Sequence, residues 1–409
     1  LKIHLTGPRE QQFNANIKIT GSKSESNRSL LLAAHYKGVT IENLSNSDDA
    51  QVMEQGLQKN SGTVDIHHAG TAMRFLTGYF SGQEGKNVLL TGSKRMTERP
   101  IKILVDALRD LGADISYVKE EGYPPIKING KALTKDKVSL PANVSSQYIS
   151  SLLLLAPSLK NGLELELVGK ITSVPYIKMT LGLLDELGIP NSFEGNLIKV
   201  SPKTSVAPAR LIVESDWSSA SYYYSMVALA AVGSEISLSA YKKNSLQGDS
   251  VLAELYRGFG VETLFSEHSI TLKKLNTPKE KTVAFDLANA PDIAQTIAVT
   301  TFGLGMGCHL VGLHTLKIKE TDRLEALHTE LTKLGADISV TDKTLTIKPS
   351  NILNKEVAID TYNDHRMAMA FAPLALKIPL FINDAEVVSK SYPDFWEDLR
   401  GLQFTTIEL

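Results

Sequence analysis

Lysine and arginine recur along this chain where helices should begin. Lys23 precedes Ser24-Glu-Ser-Asn-Arg28-Ser-Leu-Leu-Leu, Arg74 follows Ala69-Gly70-Thr71, and Arg99 stands before Pro100, a residue favoured at the first helical position. Lys319 and Arg323 bracket Glu320-Thr-Asp322, Arg366 follows Asp364-His365, and Lys390 stands just before Tyr392-Pro-Asp-Phe-Trp. A helix start already carries partial positive charge, so a cation there is unfavourable unless an anion joins it. Ser145-Ser146-Gln147, heading Tyr148-Ile-Ser-Ser-Leu-Leu-Leu-Leu, adds hydroxyls and an amide. Singly, such serines are ordinary caps and such arginines ordinary surface groups. Jointly, cations, hydroxyls and glycine-exposed amides suit phosphates and carboxylates. The expected ligand is a small polyanion. The site is not a P-loop, because Gly21-Ser-Lys-Ser24 has Ser22 and Ile17 where that motif needs glycine.

The elements that must position these residues repeat. Four segments share one plan of amphipathic helix, closing glycine, strand, turn and strand: Ile101 to Gly112, Leu183 to Gly188, Leu255 to Gly260 and Leu324 to Gly335, each with the strands that follow. The closing glycines are 76, 72 and 75 residues apart. Apolar steps of three and four (Leu324, Leu327, Leu331, Leu334) give each helix one buried face, and glycine suits the left-handed turn that ends it. A period this long exceeds the small solenoid repeats, so mixed α/β units with helices on a sheet are expected. A fifth copy, closing at Gly62, lies only 50 residues before Gly112 and has no room for a hairpin before Gly70. One unit is expected to have lost that hairpin. The stretch Ser201-Pro-Lys-Thr-Ser-Val-Ala-Pro208 is a plausible exit from one domain.

With 409 residues, 43% of them hydrophobic, the chain exceeds what one core usually serves, so two domains are expected. A net charge of −2 leaves no general basic footprint, so no nucleic-acid partner is expected. Leu152 to Ala156 and Met226 to Val232 are far too short to span a membrane. The first residues lack a signal peptide's apolar region, so a cytoplasmic location is expected. Cys308 alone excludes an internal disulfide, and no Cys/His cluster has zinc-site spacing.

In order and spacing the motifs resemble one family, the EPSP synthases (3-phosphoshikimate 1-carboxyvinyltransferases). The matching segments run from Gly21-Ser-Lys-Ser-Glu-Ser-Asn-Arg28 through Ala69-Gly-Thr-Ala-Met-Arg74, Arg95-Met-Thr-Glu-Arg-Pro100, Ser145-Ser-Gln147 and Ser173-Val-Pro-Tyr176. They continue with Pro291-Asp292, Lys319-Glu-Thr-Asp-Arg323, Asp364-His-Arg-Met-Ala-Met369 and Ser389-Lys-Ser-Tyr-Pro-Asp394. The resemblance implies an α/β protein of two inside-out α/β barrels, each domain built from three βαβαββ units, one of them truncated here. Residues 1–20 with 215–409 would form the domain of phosphoenolpyruvate and catalysis. Residues 21–214 would form the shikimate 3-phosphate domain, with the active site in the cleft between them. The implied reaction moves the enolpyruvyl group of phosphoenolpyruvate to the 5-hydroxyl of shikimate 3-phosphate and releases phosphate, without metal or organic cofactor. A monomer is expected, as is inhibition by glyphosate, for which Gly70 leaves room.

By motif position, shikimate 3-phosphate should meet Lys23, Ser24, Arg28, Ser145, Ser146, Gln147, Ser173, Tyr176, Asp292, Thr315 and Lys319. Phosphoenolpyruvate should meet Lys23, Gly70, Arg99, Gln147, Arg323, Arg366 and Lys390. The enol carbon gains a proton while the 5-hydroxyl loses one, which needs an acid and a base on different sides of the reacting carbon. Asp292 is assigned as base, and Glu320, helped by Lys23, as the proton-donor side. The ligands bring roughly −5 to −6 of charge. Seven cations, the six lysines and arginines at 23, 28, 99, 323, 366 and 390 plus Arg74, would offset it. A pocket so positive when empty should close only as ligand arrives, with phosphoenolpyruvate following shikimate 3-phosphate.

Three positions depart from the family pattern: His68 for the usual Asn, Thr315 where Asn is frequent, and Phe75 where Pro is common. The nearest rival of the same fold, UDP-N-acetylglucosamine 1-carboxyvinyltransferase, generally uses a cysteine on a mobile loop. Cys308 instead sits in apolar Gly305-Met-Gly-Cys-His-Leu310. A catalytically inactive polyanion-binding homologue is the alternative from another class.

Overall fold

The computed structural model describes residues 1–10, 12–143, 145–171 and 174–409. The chain divides into two units, Leu1–Thr20 with Glu214–Leu409, and Gly21–Val213. Glu214, expected on the other side of the boundary, is tied to the first unit. Its carboxylate accepts from Trp217 Nε1 (2.9 Å), the Lys242 backbone N–H (2.8 Å) and Ser245 Oγ (2.6 Å).

The first unit contains three four-stranded sheets, each repeating one pattern. In the sheet of Thr282–Asp286, Gly307–Val311, Ile338–Val340 and Leu345–Ile347, the first two strands pair in parallel and the closing hairpin adds antiparallel strands. A helix follows each of the two parallel strands, Ala294–Gly303 after the first and Arg323–Leu334 after the second. In another sheet the N-terminal strand Ile3–Thr6 fills the hairpin position, antiparallel to both Leu380–Ile382 and Thr405–Glu408. The second unit has two four-stranded sheets and one reduced to the parallel pair Val39–Glu42 and Ala209–Ile212. That pair is the unit without its hairpin.

Two expectations about the repeats change. Gly62 does not end a helix; it lies inside the strand Ser61–Asp65, opposite Val88, and the preceding helix stops at Leu57. The third repeat's helix is broken into two 3-10 turns, Gly248–Val251 and Tyr256–Phe259, around one short α turn, Leu252–Leu255. Its Arg257-Gly258 pair weakens a continuous helix, since glycine loses the most entropy there. The closing glycine itself is left-handed as required: at Gly260 (φ 78°) a Cβ would lie 1.9 Å from the Asn276 carbonyl oxygen.

The helices fall into two kinds, and the difference places the functional residues. Helices such as Lys102–Asp110 are amphipathic and bury one stripe, here Leu104, Val105, Ala107 and Leu108. By contrast every residue of Gly70–Ser81, Ala294–Gly303 and His365–Phe371 is buried. These all-round buried helices pack on one another inside their unit, with the sheets outside. Hydrogen bonds at matching heights show that they run in parallel. Ser221 pairs with Thr296 (2.9 Å) and, one turn on, Thr300 Oγ1 donates to Ser225 Oγ (2.7 Å). In the second unit Gln147 Nε2 donates to Thr71 Oγ1 (3.1 Å) and Ser151 Oγ to the Arg74 carbonyl (2.7 Å). Parallel packing gathers N-termini, with their partial positive charge, at one end of each unit. Among the described residues no helix is long and apolar enough to cross a membrane.

Candidate functional site

In the first unit the gathered helix starts hold a cluster of charges around Arg323. This arginine is 1% exposed and is the first residue of its helix, whose cap Asp322 accepts from the Leu324 and Glu325 N–H groups. Its guanidinium uses three faces. Nε donates to Asp364 Oδ2 (2.7 Å), Nη1 to Asp292 Oδ1 (3.0 Å) and Nη2 to Glu320 Oε2 (2.8 Å). Asp292 also has Lys319 Nζ 3.5 Å from Oδ1 and Arg366 Nη2 3.5 Å from Oδ2. Asp364, fully buried, caps the next helix through the Arg366 N–H (2.8 Å). Burial alone would lower the Arg323 and Arg366 pKa values, but the carboxylates outweigh it and raise both. Such a guanidinium stays charged throughout and fixes two carboxylates, Asp292 and Glu320, on separate nitrogens of one rigid plane.

Lys390 belongs to the same unit but not to a helix start. It ends the 3-10 turn Ala385–Lys390, five residues before the helix Phe395–Gly401. Its Nζ donates to the Asn363 carbonyl (2.6 Å) and Oδ1 (2.7 Å). Tyr362 and Asn363 both have positive φ, 52° and 58°. Tyr362 is held there by its hydroxyl, which donates to buried Glu330 Oε1 (2.6 Å).

The second unit has a different centre. Arg28, 2% exposed, donates from Nε to Thr180 Oγ1 (2.8 Å), from Nη1 to the Ser24 carbonyl (2.6 Å) and from Nη2 to Ser150 Oγ (2.9 Å). Its Cζ lies 5.2 Å from the Phe75 ring centroid and 5.9 Å from that of Tyr176. No carboxylate pairs with it among the described residues, and burial lowers its pKa to about 10. Phe75, a departure from the family pattern, is fully buried and packs against this cation.

Lys23 opens the helix Lys23–His35, capped by Ser22, and its Nζ lies 3.4 Å from Asp49 Oδ2. Ser145 caps the helix Ser146–Leu155, accepting from the Gln147 N–H (3.4 Å), so one expected ligand is also a helix cap. Ser146 is the first residue of that helix and is partly exposed. Gly70 opens Gly70–Ser81, and its missing Cβ makes room for Arg99. A Cβ there would sit 2.7 Å from Arg99 Nη1 and 3.1 Å from Cζ.

Several sequence expectations are modified. Arg74 is not an open cation; it is buried one turn inside its helix and donates to the Gly70 (3.2 Å) and Pro100 (3.2 Å) carbonyls. The remaining cations are not an uncompensated set. Around Asp292, three cations (Lys319, Arg323, Arg366) face three carboxylates (Asp292, Glu320, Asp364), and Lys23 has Asp49. His68 is exposed rather than buried in the core. Thr315 lies in the turn His314–Ile318, and among the described residues its buried Oγ1 has no hydrogen-bond partner. Ser173 lies outside the described residues. Asp49, Ser150 and Thr180 were not singled out from sequence, because their roles arise only from contacts 26 to 152 positions away. Among the described residues no three His, Cys, Asp or Glu side chains are grouped to hold a metal ion.

Comparison with known proteins gives a consistent family. The sequence model of EPSP synthase (3-phosphoshikimate 1-carboxyvinyltransferase) matches residues 57–399. A 3-phosphoshikimate 1-carboxyvinyltransferase of Bacteroides fragilis (strain ATCC 25285) is 46% identical over 398 residues, covering 96% of each chain. That of Vibrio vulnificus (strain YJ016) is 36% identical over 423 aligned residues, covering 96% of this chain and 97% of the other. In fold, the chain is similar over its whole length to an EPSP synthase structure from Acinetobacter baumannii, with a TM-score of 0.81 at 22% identity.

Proposed function

This chain belongs to the EPSP synthase (3-phosphoshikimate 1-carboxyvinyltransferase) family, and from that membership we propose how its own residues divide the reaction. The enzyme transfers the enolpyruvyl group of phosphoenolpyruvate to shikimate 3-phosphate and releases phosphate. The reaction is an addition followed by an elimination. The 5-hydroxyl of shikimate 3-phosphate attacks C2 of phosphoenolpyruvate as C3 gains a proton. The tetrahedral intermediate then loses phosphate and one C3 proton.

Asp292 takes the hydroxyl proton, and Glu320, with Lys23, serves the proton at C3. The observation that carries this reading is the shared guanidinium of Arg323, which holds Asp292 on Nη1 at 3.0 Å and Glu320 on Nη2 at 2.8 Å. Two carboxylates fixed on one plane, yet on different nitrogens, can address two sides of a reacting carbon without reorganising. Arg323, Arg366, Lys390, Arg99, Gln147 and the Gly70 backbone bind phosphoenolpyruvate. Lys23, Ser24, Arg28, Ser145, Ser146, Gln147, Ser173, Tyr176, Asp292, Thr315 and Lys319 serve shikimate 3-phosphate. Arg28 does so indirectly: its donors are committed to Thr180, Ser150 and the Ser24 carbonyl, and its charge has no carboxylate at ion-pair distance among the described residues. It supplies field and holds Ser24 in place.

Each unit contributes its own residues to one reaction, the chain acts as a cytoplasmic monomer, and glyphosate competes for the phosphoenolpyruvate residues. Cys308 argues against the UDP-N-acetylglucosamine reaction. It is fully buried, and burial pushes its thiol up to about 11, so no reactive thiolate is present. Phosphate release tests the reading. Release is expected with phosphoenolpyruvate plus shikimate 3-phosphate and not when UDP-N-acetylglucosamine replaces the latter; the reverse result overturns it.

A further inference from the structure

We propose that Ser218 is a further binding residue for the anionic substrate beside Arg366, and that Asp249 positions it by holding the proton that frees the Ser218 hydroxyl to donate. This rests on the reading above that Arg366 meets phosphoenolpyruvate. Ser218 is the second residue of the buried helix Trp217–Leu229 and is itself partly exposed. Its Oγ accepts from Arg366 Nη2 (3.3 Å) and hydrogen-bonds Asp249 Oδ2. Arg366 is 8% exposed, and among the described residues its buried Nε has no hydrogen-bond partner, leaving a donor unfilled at the same place.

A hydroxyl has one hydrogen. When Asp249 is ionised, that hydrogen is spent on its carboxylate, and Ser218 offers a ligand nothing but lone pairs. When Asp249 is neutral, the acid donates to Ser218 Oγ, and the serine hydrogen is free for an anionic oxygen beside Arg366. Asp249 is 5% exposed, and among the described residues no cationic nitrogen lies within ion-pair distance of it. The charged groups that face it are Asp292 from the turn Pro291–Ile293, Arg366 from the helix His365–Phe371 and Asp216 from the start of Trp217–Leu229. Tyr222, one turn along that helix, stays neutral because burial raises its pKa. Burial first, then the Asp292 charge, push Asp249 up to about 7, against the opposite pull of Arg366. An arriving anion pushes the same way. Binding therefore takes up one proton at Asp249 above neutral pH.

The test is the phosphate-release assay on the full enzyme from pH 6 to 8.5, with KM for each substrate measured for wild type, Asp249→Asn and Ser218→Ala. Comparing variants at equal pH cancels titration of the substrate phosphates. Asparagine mimics the neutral acid at every pH. The wild-type to Asp249→Asn ratio of KM for phosphoenolpyruvate should be near one at pH 6 and rise to roughly tenfold by pH 8.5, one proton allowing at most a decade per pH unit. Ser218→Ala should raise that KM about tenfold at pH 6. KM for shikimate 3-phosphate should be little changed in both variants. A constant ratio for Asp249→Asn across the pH range overturns the proposal, as does an equal rise in both KM values. If wild type releases no phosphate from the pair, the functional reading fails instead.

Discussion

Two buried arginines, each close to a helix start, have opposite surroundings. Arg323 faces three carboxylates within 3.0 Å, which raise its pKa despite burial. Arg28 donates to hydroxyls and carbonyls, with no carboxylate at ion-pair distance among the described residues, and burial lowers its pKa to about 10 against the opposite pull of Tyr176 and Glu25. The first cation is paired within the protein, so it contributes geometry as well as charge: it locks Asp292 and Glu320, the carboxylates to which the proposed reading gives the proton transfers. The second has no direct carboxylate partner, only the longer-range pull of Glu25, in a low-dielectric setting where field reaches further than in water. On the proposed reading, that charge serves shikimate 3-phosphate. What a buried arginine can do is thus set by its partners, not by its position in the helix.

The sharpest way to break the comparison is to disturb the carboxylate-paired centre. Asp292→Asn should lower kcat by about 10²–10⁴-fold, the usual worth of a positioned base. Glu320→Gln should also cut turnover strongly with substrate affinity nearly intact, read by steady-state kinetics; a large rise in KM alone would refute its role.

Removing the Arg28 charge should act on binding instead. Arg28→Met should raise KM for shikimate 3-phosphate by roughly tenfold to a hundredfold, the range for a charge-assisted contact. It should also cost about 1–3 kcal/mol of stability in denaturant unfolding, because Ser150 and Thr180 lose a buried partner. An effect of equal size on kcat would mean Arg28 belongs with the catalytic centre.

Gly70→Ala displaces the Arg99 guanidinium that now occupies the missing Cβ's space. Because the obstacle is the end of a flexible side chain, the effect should be modest. A several-fold rise in KM for phosphoenolpyruvate is expected, and unchanged kinetics would place Arg99 outside the binding set.

Asp249 sharpens the contrast through pH. Its carboxyl rises from the usual 3.8 to about 7 in the fold. Between those values the folded chain holds a proton that the unfolded chain has lost, so stability from this group falls as pH climbs through that window. Asp249→Asn should remove the fall, and its Tm relative to wild type should increase from pH 4 to pH 7. Smallest of all, alkylation at pH 8 should leave folded enzyme unmodified at Cys308 and fully active.

The repeat plan was legible because helix periodicity and closing glycines are local signals. Leu324 to Gly335 reads as a helix with a left-handed end, and it is one, with Gly335 at φ 102°. The missing hairpin was legible as a spacing defect, but Gly62 was misread, because glycine in a strand and glycine after a helix look alike when pairing is unknown. The broken third helix escaped notice since the apolar spacing of Leu252, Leu255 and Phe259 is kept across it.

The sequence by itself determined which residue types are present at the helix starts, their order, and through motif resemblance the family and reaction class. Tertiary structure alone decided what each charge faces. Arg74 and Arg366 look equivalent in the chain, yet one is turned onto backbone carbonyls and the other toward Asp292 and Ser218. Asp249 meets Ser218 across 31 residues, and Lys390 meets Asn363 across 27. Coulomb and desolvation energies depend on distance and burial, not on sequence separation. Only the tertiary packing could decide which cations meet carboxylates and which meet hydroxyls and carbonyls.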